Sequence, residues 1–160
     1  MSPVLLEGPG ERVQHPPPVI RTILLATDLS PSAVGAALYA MELASQLEAQ
    51  LVIASVIDLV VPLAGLGQRM DQIRADREAA VQALVERARG AGARATFLVW
   101  QGDPGPTILS AAKAERADLI VIGTHGREGV SRLLLGSVSD HVVRHARCPV
   151  LVVRSSSTMD

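Results

Sequence analysis

The sequence predicts an α/β fold, a single doubly wound parallel sheet of five strands with helices on both faces. Short apolar runs alternate with helix-period segments from end to end, which is the pattern that right-handed crossovers impose. The runs themselves, such as Ile23-Leu24-Leu25-Ala26 and Leu119-Ile120-Val121-Ile122, are continuous rather than alternating, as in strands covered on both sides. A third observation is their punctuation: each run ends in residues suited to turns and is followed by a helix start.

Taken in order, residues 1–18 carry five prolines at positions 3, 9, 16, 17 and 18 and read as a loose N-terminal arm. The domain is expected over residues 19–154, with 155–160 a tail. The first strand is predicted over Arg21 to Ala26. Ser30-Pro31 then starts a helix, with serine at the N-cap, proline in the first turn, and Ala33, Ala37, Ala40, Ala44 and Leu47 as the apolar face. Its end is expected near Gln50. Leu51 to Ile57 is the second strand, and Asp58 to Gly67, with Pro62, is a connection. From Gln68 to Ala91 the residues Met70, Ile73, Val81, Leu84, Val85 and Ala88 recur at helical spacing, and Gly90 and Gly92 mark the stop. Ala93 to Trp100 is the third strand. Asp103-Pro104 opens a helix running to Arg116, Leu119 to Ile122 is the fourth strand, Val138 to Ala146 the last helix, and Pro149 to Val153 the fifth strand.

Composition excludes several classes of function. With 48% apolar residues and a net charge of -1 over 160 residues, the chain fits one domain with a full core. It has no basic stretch, and Tyr39, Phe97 and Trp100 are its aromatics, so neither charge nor stacking favours nucleic acid. The single Cys148 forms no internal disulfide, and no run reaches the roughly 20 apolar residues of a membrane span. A cytoplasmic location is the expectation, with no membrane partner.

The stretch that speaks most directly to function is Gly123-Thr124-His125-Gly126, followed after nine residues by Gly136-Ser137. A strand that ends in a glycine-rich loop and feeds a helix N-terminus can hold an anion, most often phosphate, on backbone N-H groups. Such a crevice lies at the carboxyl ends of the strands where their order reverses. The residues alone leave two orders open, 2-1-3-4-5 and 3-2-1-4-5, and both allow Thr27-Asp28 to face the Gly123 loop. Arg127 or Arg132 can offset the charge of a phosphate, and both also read as solvated loop arginines. Asp28 is either a ligand or a turn residue ahead of Ser30-Pro31. Asp58 can join it around Mg2+, or remain a loop carboxylate. His141 and His145 share a helix face, but two histidines do not make a metal site, and the predicted metal ligands are none. Lys113, the one lysine, lies away from every glycine loop, against both a Walker A loop and a receiver-type site.

Together, Ile23-Leu24-Leu25-Ala26-Thr27-Asp28-Leu29-Ser30, Gly102-Asp103-Pro104, the glycine motif from Gly123 to Ser137, and Cys148-Pro149-Val150-Leu151-Val152-Val153 resemble the universal stress protein family, over about Val19 to Arg154. The resemblance implies a Rossmann-like, adenine nucleotide alpha hydrolase-like sheet of order 3-2-1-4-5. It also implies the ATP-binding branch, with ATP and Mg2+ as ligand. By position, Ala26, Thr27 and Asp28 would line the ribose and adenine side, with Val56 meeting adenine through its backbone. Ile122, Gly123, His125, Gly126, Arg127 and Gly129 would surround the phosphates, with Gly136, Ser137, Val138 and Ser139 completing the cradle from the helix start. The first strand departs from some members in ending Ala-Thr-Asp rather than Pro-Thr-Asp, and Gly129 makes the loop more flexible. The implied function is stress response through nucleotide-dependent conformation or partner binding, with at most slow ATP hydrolysis and no catalytic residue. The resemblance also implies a homodimer paired through Pro149 to Val153, and the alternative function is a homodimeric scaffold with a vestigial pocket.

Overall fold

A computed structural model describes residues 18–58, 66–124 and 135–155. Five parallel strands occupy Thr22–Ala26 (β1), Gln50–Ile57 (β2), Arg94–Gln101 (β3), Leu119–Gly123 (β4) and Val150–Val153 (β5). Val34–Gln46 (α1), Leu66–Gly90 (α2), Pro104–Ala114 (α3) and Ser137–His145 (α4) are the helices, and a 3-10 turn, Pro31–Ala33, precedes α1. The sheet order is β3-β2-β1-β4-β5. Of the two orders the residues left open, this is the one that reverses between β1 and β4.

Period-two alternation divides the core into two layers. Ile23 and Leu25 of β1, Leu51 and Ile53 of β2 and Val121 of β4 pack under α1 and α2. Leu24, Ala26, Val52, Ala54, Ile120 and Ile122 pack on the other face under α3 and α4. Both faces of the central strands are therefore withdrawn from water, which is why their sequences are continuous apolar runs. Within α2, Val81, Val85 and Ala88 form the buried stripe. In α1 the expected alanine face is present, with Ala36 and Met41 added, but Leu47 is 45% exposed. Leu47 caps a helix that has already ended at Gln46, so it falls beyond the stripe that meets the sheet.

The helix ends explain most differences from the expected boundaries. After α1 the chain turns at Glu48, with φ 53°, and the Ala49 N-H bonds the Ala44 carbonyl at 2.9 Å. The same left-handed turn follows α2 at Gly92 and α3 at Arg116. There the N-H groups of Ala93 and Ala117 bond the carbonyls of Ala88 and Ala112. Each is a Schellman stop that satisfies orphan carbonyls and sends the chain directly into the next strand. The expected ends near Gln50 and Arg116 move back to Gln46 and Ala114 for this reason.

Candidate functional site

The carboxyl ends of β1 and β4 are adjacent, Ala26 pairing with Ile122. Beyond β1 the Thr27 N-H bonds the Ala54 carbonyl at 3.0 Å, carrying the sheet ladder one residue past the strand. The chain then makes a tight turn. Thr27 Oγ1 accepts the Leu29 N-H at 3.1 Å, Asp28 Oδ1 accepts the Ser30 N-H at 2.9 Å, and Leu29 takes φ 63°. Short polar side chains mimic backbone acceptors in such turns. Asp28 is thus a turn residue through Oδ1, while Oδ2 has no hydrogen-bond partner among the described residues. The side chain is half-buried at the mouth of the crevice.

Across the crevice, β4 ends at Gly123, and α4 begins at Ser137 with Gly136 as an N-cap that lacks a side-chain cap. The two sides of the intervening loop are fastened together. The Gly136 N-H donates to the Thr124 carbonyl at 2.8 Å, and the Thr124 N-H donates to the Val153 carbonyl at 3.2 Å. Buried Ser139 donates its hydroxyl to the Gly123 carbonyl at 2.7 Å. The open N-terminus of α4, with its backbone N-H groups and the positive end of the helix dipole, is left beside the ends of β1 and β4.

Of the expected site residues, Asp28, Gly136 and Ser137 border this crevice with accessible surface, and Thr27 is held at its floor. Ala26 and Ile122 are core residues, 4% and 5% exposed, so only their backbone faces the strand ends. Val138 packs on the α3/α4 layer, as does Val56 of β2, which stands beside Trp100 of β3. The Ser139 hydroxyl spends its one hydrogen on Gly123, which leaves the backbone N-H as the group it can present. His125, Gly126, Arg127, Gly129 and Arg132 lie outside the described residues. Asp58 is exposed just past β2.

The sequence reading missed Arg77. From the middle of α2 its Nη1 donates to the buried Ser55 hydroxyl at 3.1 Å and lies 3.5 Å from the Asp28 carbonyl. One guanidinium therefore ties the β1 turn to β2. The available signal was slight, an arginine on a helix whose neighbours Arg74 and Glu78 form an ordinary i,i+4 pair. His141 and His145 stack with centroids 4.3 Å apart, and among the described residues no three metal-ligating side chains converge. Among the same residues no helix is long and apolar enough to cross a membrane.

Comparison with known proteins is consistent in every direction. The model of the universal stress protein family matches residues 20–154. A universal stress protein of Methanocaldococcus jannaschii is 32% identical over 140 residues, 84% of this chain and 82% of that protein. One from Thermus aquaticus is 39% identical over 137 residues, 85% of this chain and all of that protein. Among solved structures, UspA from Lactobacillus plantarum superposes with a TM-score of 0.75 at 27% identity, covering 84% of this chain and 98% of that one. A universal stress protein crystallised in complex with cAMP gives 0.67 at 29% identity, covering 86% and 99%. The sheet order, the glycine-flanked loop and these likenesses agree: the chain belongs to the universal stress protein family.

Proposed function

We propose that the crevice between β1 and β4 binds an adenine nucleotide, ATP with Mg2+, and that the protein acts in stress response through the conformation or partners that this nucleotide controls. The observation that carries the reading is the uncapped N-terminus of α4, clasped by Gly136, Thr124 and Ser139 against the end of β4 and set at the reversal of strand order. Oriented N-H groups at that point suit phosphate oxygens. The nucleotide-bound relative, a family member in complex with cAMP, supports an adenine nucleotide in particular. On this reading Asp28 Oδ2 and the Val56 backbone serve the nucleoside end, while Gly123, Gly136, Ser137 and the N-H groups of Val138 and Ser139 serve the phosphates with His125, Gly126, Arg127 and Gly129. The bound ligand would supply charge to be held, and the chain's own groups would orient it. On this reading hydrolysis is slow at most.

Calorimetric titration of the full chain with ATP and Mg2+, together with native mass spectrometry for co-purifying nucleotide, tests the reading. Saturable binding is expected, weakened about tenfold by Asp28→Asn. That change keeps the turn's acceptor oxygen and removes only the charge. Absence of any adenine nucleotide binding overturns the proposal.

A second reading concerns assembly. The edge strand β5 is Val-Leu-Val-Val, each residue only half-buried, and an apolar edge is normally paired or covered. A cytoplasmic homodimer joined through β5 fits this edge, with or without a functional pocket. Light scattering at micromolar concentration should return twice the chain mass of 16.8 kDa. A monomer at that concentration refutes the β5 pairing.

A further inference from the structure

At the opposite end of the sheet, away from the crevice, the C-termini of α3 and α4 and the starts of β4 and β5 border an open cavity of about 330 Å³. Its floor is apolar, with Leu109, Ala112 and Ile120, and Cys148 lines it too. Lys113, Arg116, His145 and Arg147 line its exposed rim, and no carboxylate does.

Cations near helix C-termini often serve only the helix dipole. Two observations bear on that role here. The terminal carbonyls already have donors: Ala111, Ala112 and Lys113 accept the N-H groups of Glu115, Ala117 and Arg116, and Val142 accepts that of Ala146. The His141 carbonyl meets His145 Nδ1 at 2.9 Å. Moreover, the side chains of Lys113, Arg116 and Arg147 make no ion pair or hydrogen bond among the described residues; Arg21, Arg69, Arg87 and Arg154 make none either, but the first three line a single hollow. The carboxylate whose field reaches the Cys148 thiol, Asp118, accepts the N-H groups of Arg21 and Thr22 at 2.8 and 3.0 Å. Three unmatched positive charges therefore surround one apolar hollow.

We infer that this cavity binds a small amphipathic monoanion, its carboxylate held at the rim by Lys113, Arg116 and Arg147 and its hydrocarbon body lying over Leu109, Ala112 and Ile120. The volume suits a small-molecule site. A phosphate is the poorer fit, because helix C-termini present carbonyl oxygens rather than N-H groups and oppose a polyanion. A monoanion keeps its charge at the rim while its apolar body displaces water from the floor.

The test is titration of the full chain with decanoate below its micelle concentration, followed by amide chemical shifts, with 1-decanol and inorganic phosphate as controls. Decanoate should bind saturably, shift the amides of Lys113, Arg116, Ile120 and Cys148, and slow alkylation of the single thiol at Cys148. The double variant Lys113→Gln, Arg147→Gln alters two exposed side chains and should weaken decanoate about tenfold. ATP binding should be unchanged in that variant. Equal binding of 1-decanol or phosphate, unchanged affinity in the variant, shifts confined to the exposed Val34, Leu38 and Tyr39 of α1, or no saturable binding each overturn the inference.

Discussion

The Ser139 hydroxyl donates to the Gly123 carbonyl at 2.7 Å, across sixteen residues of sequence. This bond joins the first turn of α4 to the last residue of β4 and fixes the direction in which the helix N-terminus points. Ser139 is 4% exposed, so water cannot replace it freely. Ser139→Ala should cost about 1–2 kcal/mol, because the half-buried Gly123 carbonyl loses its donor. The urea midpoint should fall with an unchanged slope. Nucleotide affinity should fall with it, through loss of position rather than of a ligand.

A second prediction concerns the contact between α3 and α4. A Cβ at Gly105 would sit 2.7 Å from His141 Cδ2 and 3.2 Å from His141 Cβ. Because the crowding reaches the base of the side chain, a rotamer change alone does not relieve it. Gly105→Ala should destabilise by about 1–3 kcal/mol through overpacking. The double variant Gly105→Ala, His141→Ala should recover most of that loss, and a strictly additive result in a double-mutant cycle would contradict the contact.

The central strands were the most legible part of the fold, because burial on both faces leaves an uninterrupted apolar run at β1, β2 and β4. Helix ends were legible only where glycine marked them. Gly90 and Gly92 placed the end of α2 correctly, whereas Glu48 and Arg116 take the same left-handed turn without that signal. The recurring clue is an alanine directly after the left-handed residue, at positions 49, 93 and 117. In the site, the turn chemistry of Thr27-Asp28 and the glycine before α4 could be read locally. Arg77 could not, since its use depends on where α2 crosses the sheet, and nothing in its neighbours separates it from a solvated arginine.

These helix stops yield a third prediction. Gly92 has φ 92°, and a Cβ there would approach Ser45 Oγ at 3.3 Å, so Gly92→Ala should destabilise by about 1–2 kcal/mol. Glu48→Gly relieves the same conformation and gives part of the gain back as unfolded-chain entropy. A net stabilisation of about 0.5 kcal/mol is expected, read from the shift of the thermal midpoint.

The last prediction follows from Cys148. Burial pushes its thiol above the usual range, the charge of Asp118 adds to the rise, and backbone hydrogen bonds at Cys148 and Ile120 oppose it. In the unfolded chain the thiol loses its proton first as pH rises, so the unfolded state then binds fewer protons than the native state. Stability must fall along that alkaline limb. The contribution is fully present below the unfolded thiol pKa, about 8.5, and is lost as pH climbs through the raised native value. Urea unfolding of wild type and Cys148→Ala across this window should show the wild-type curve losing stability more steeply. Parallel curves would mean that the thiol titrates alike in both states. Alkylation of Cys148 near neutral pH should also accelerate once urea exposes it, because the thiolate is the reacting form.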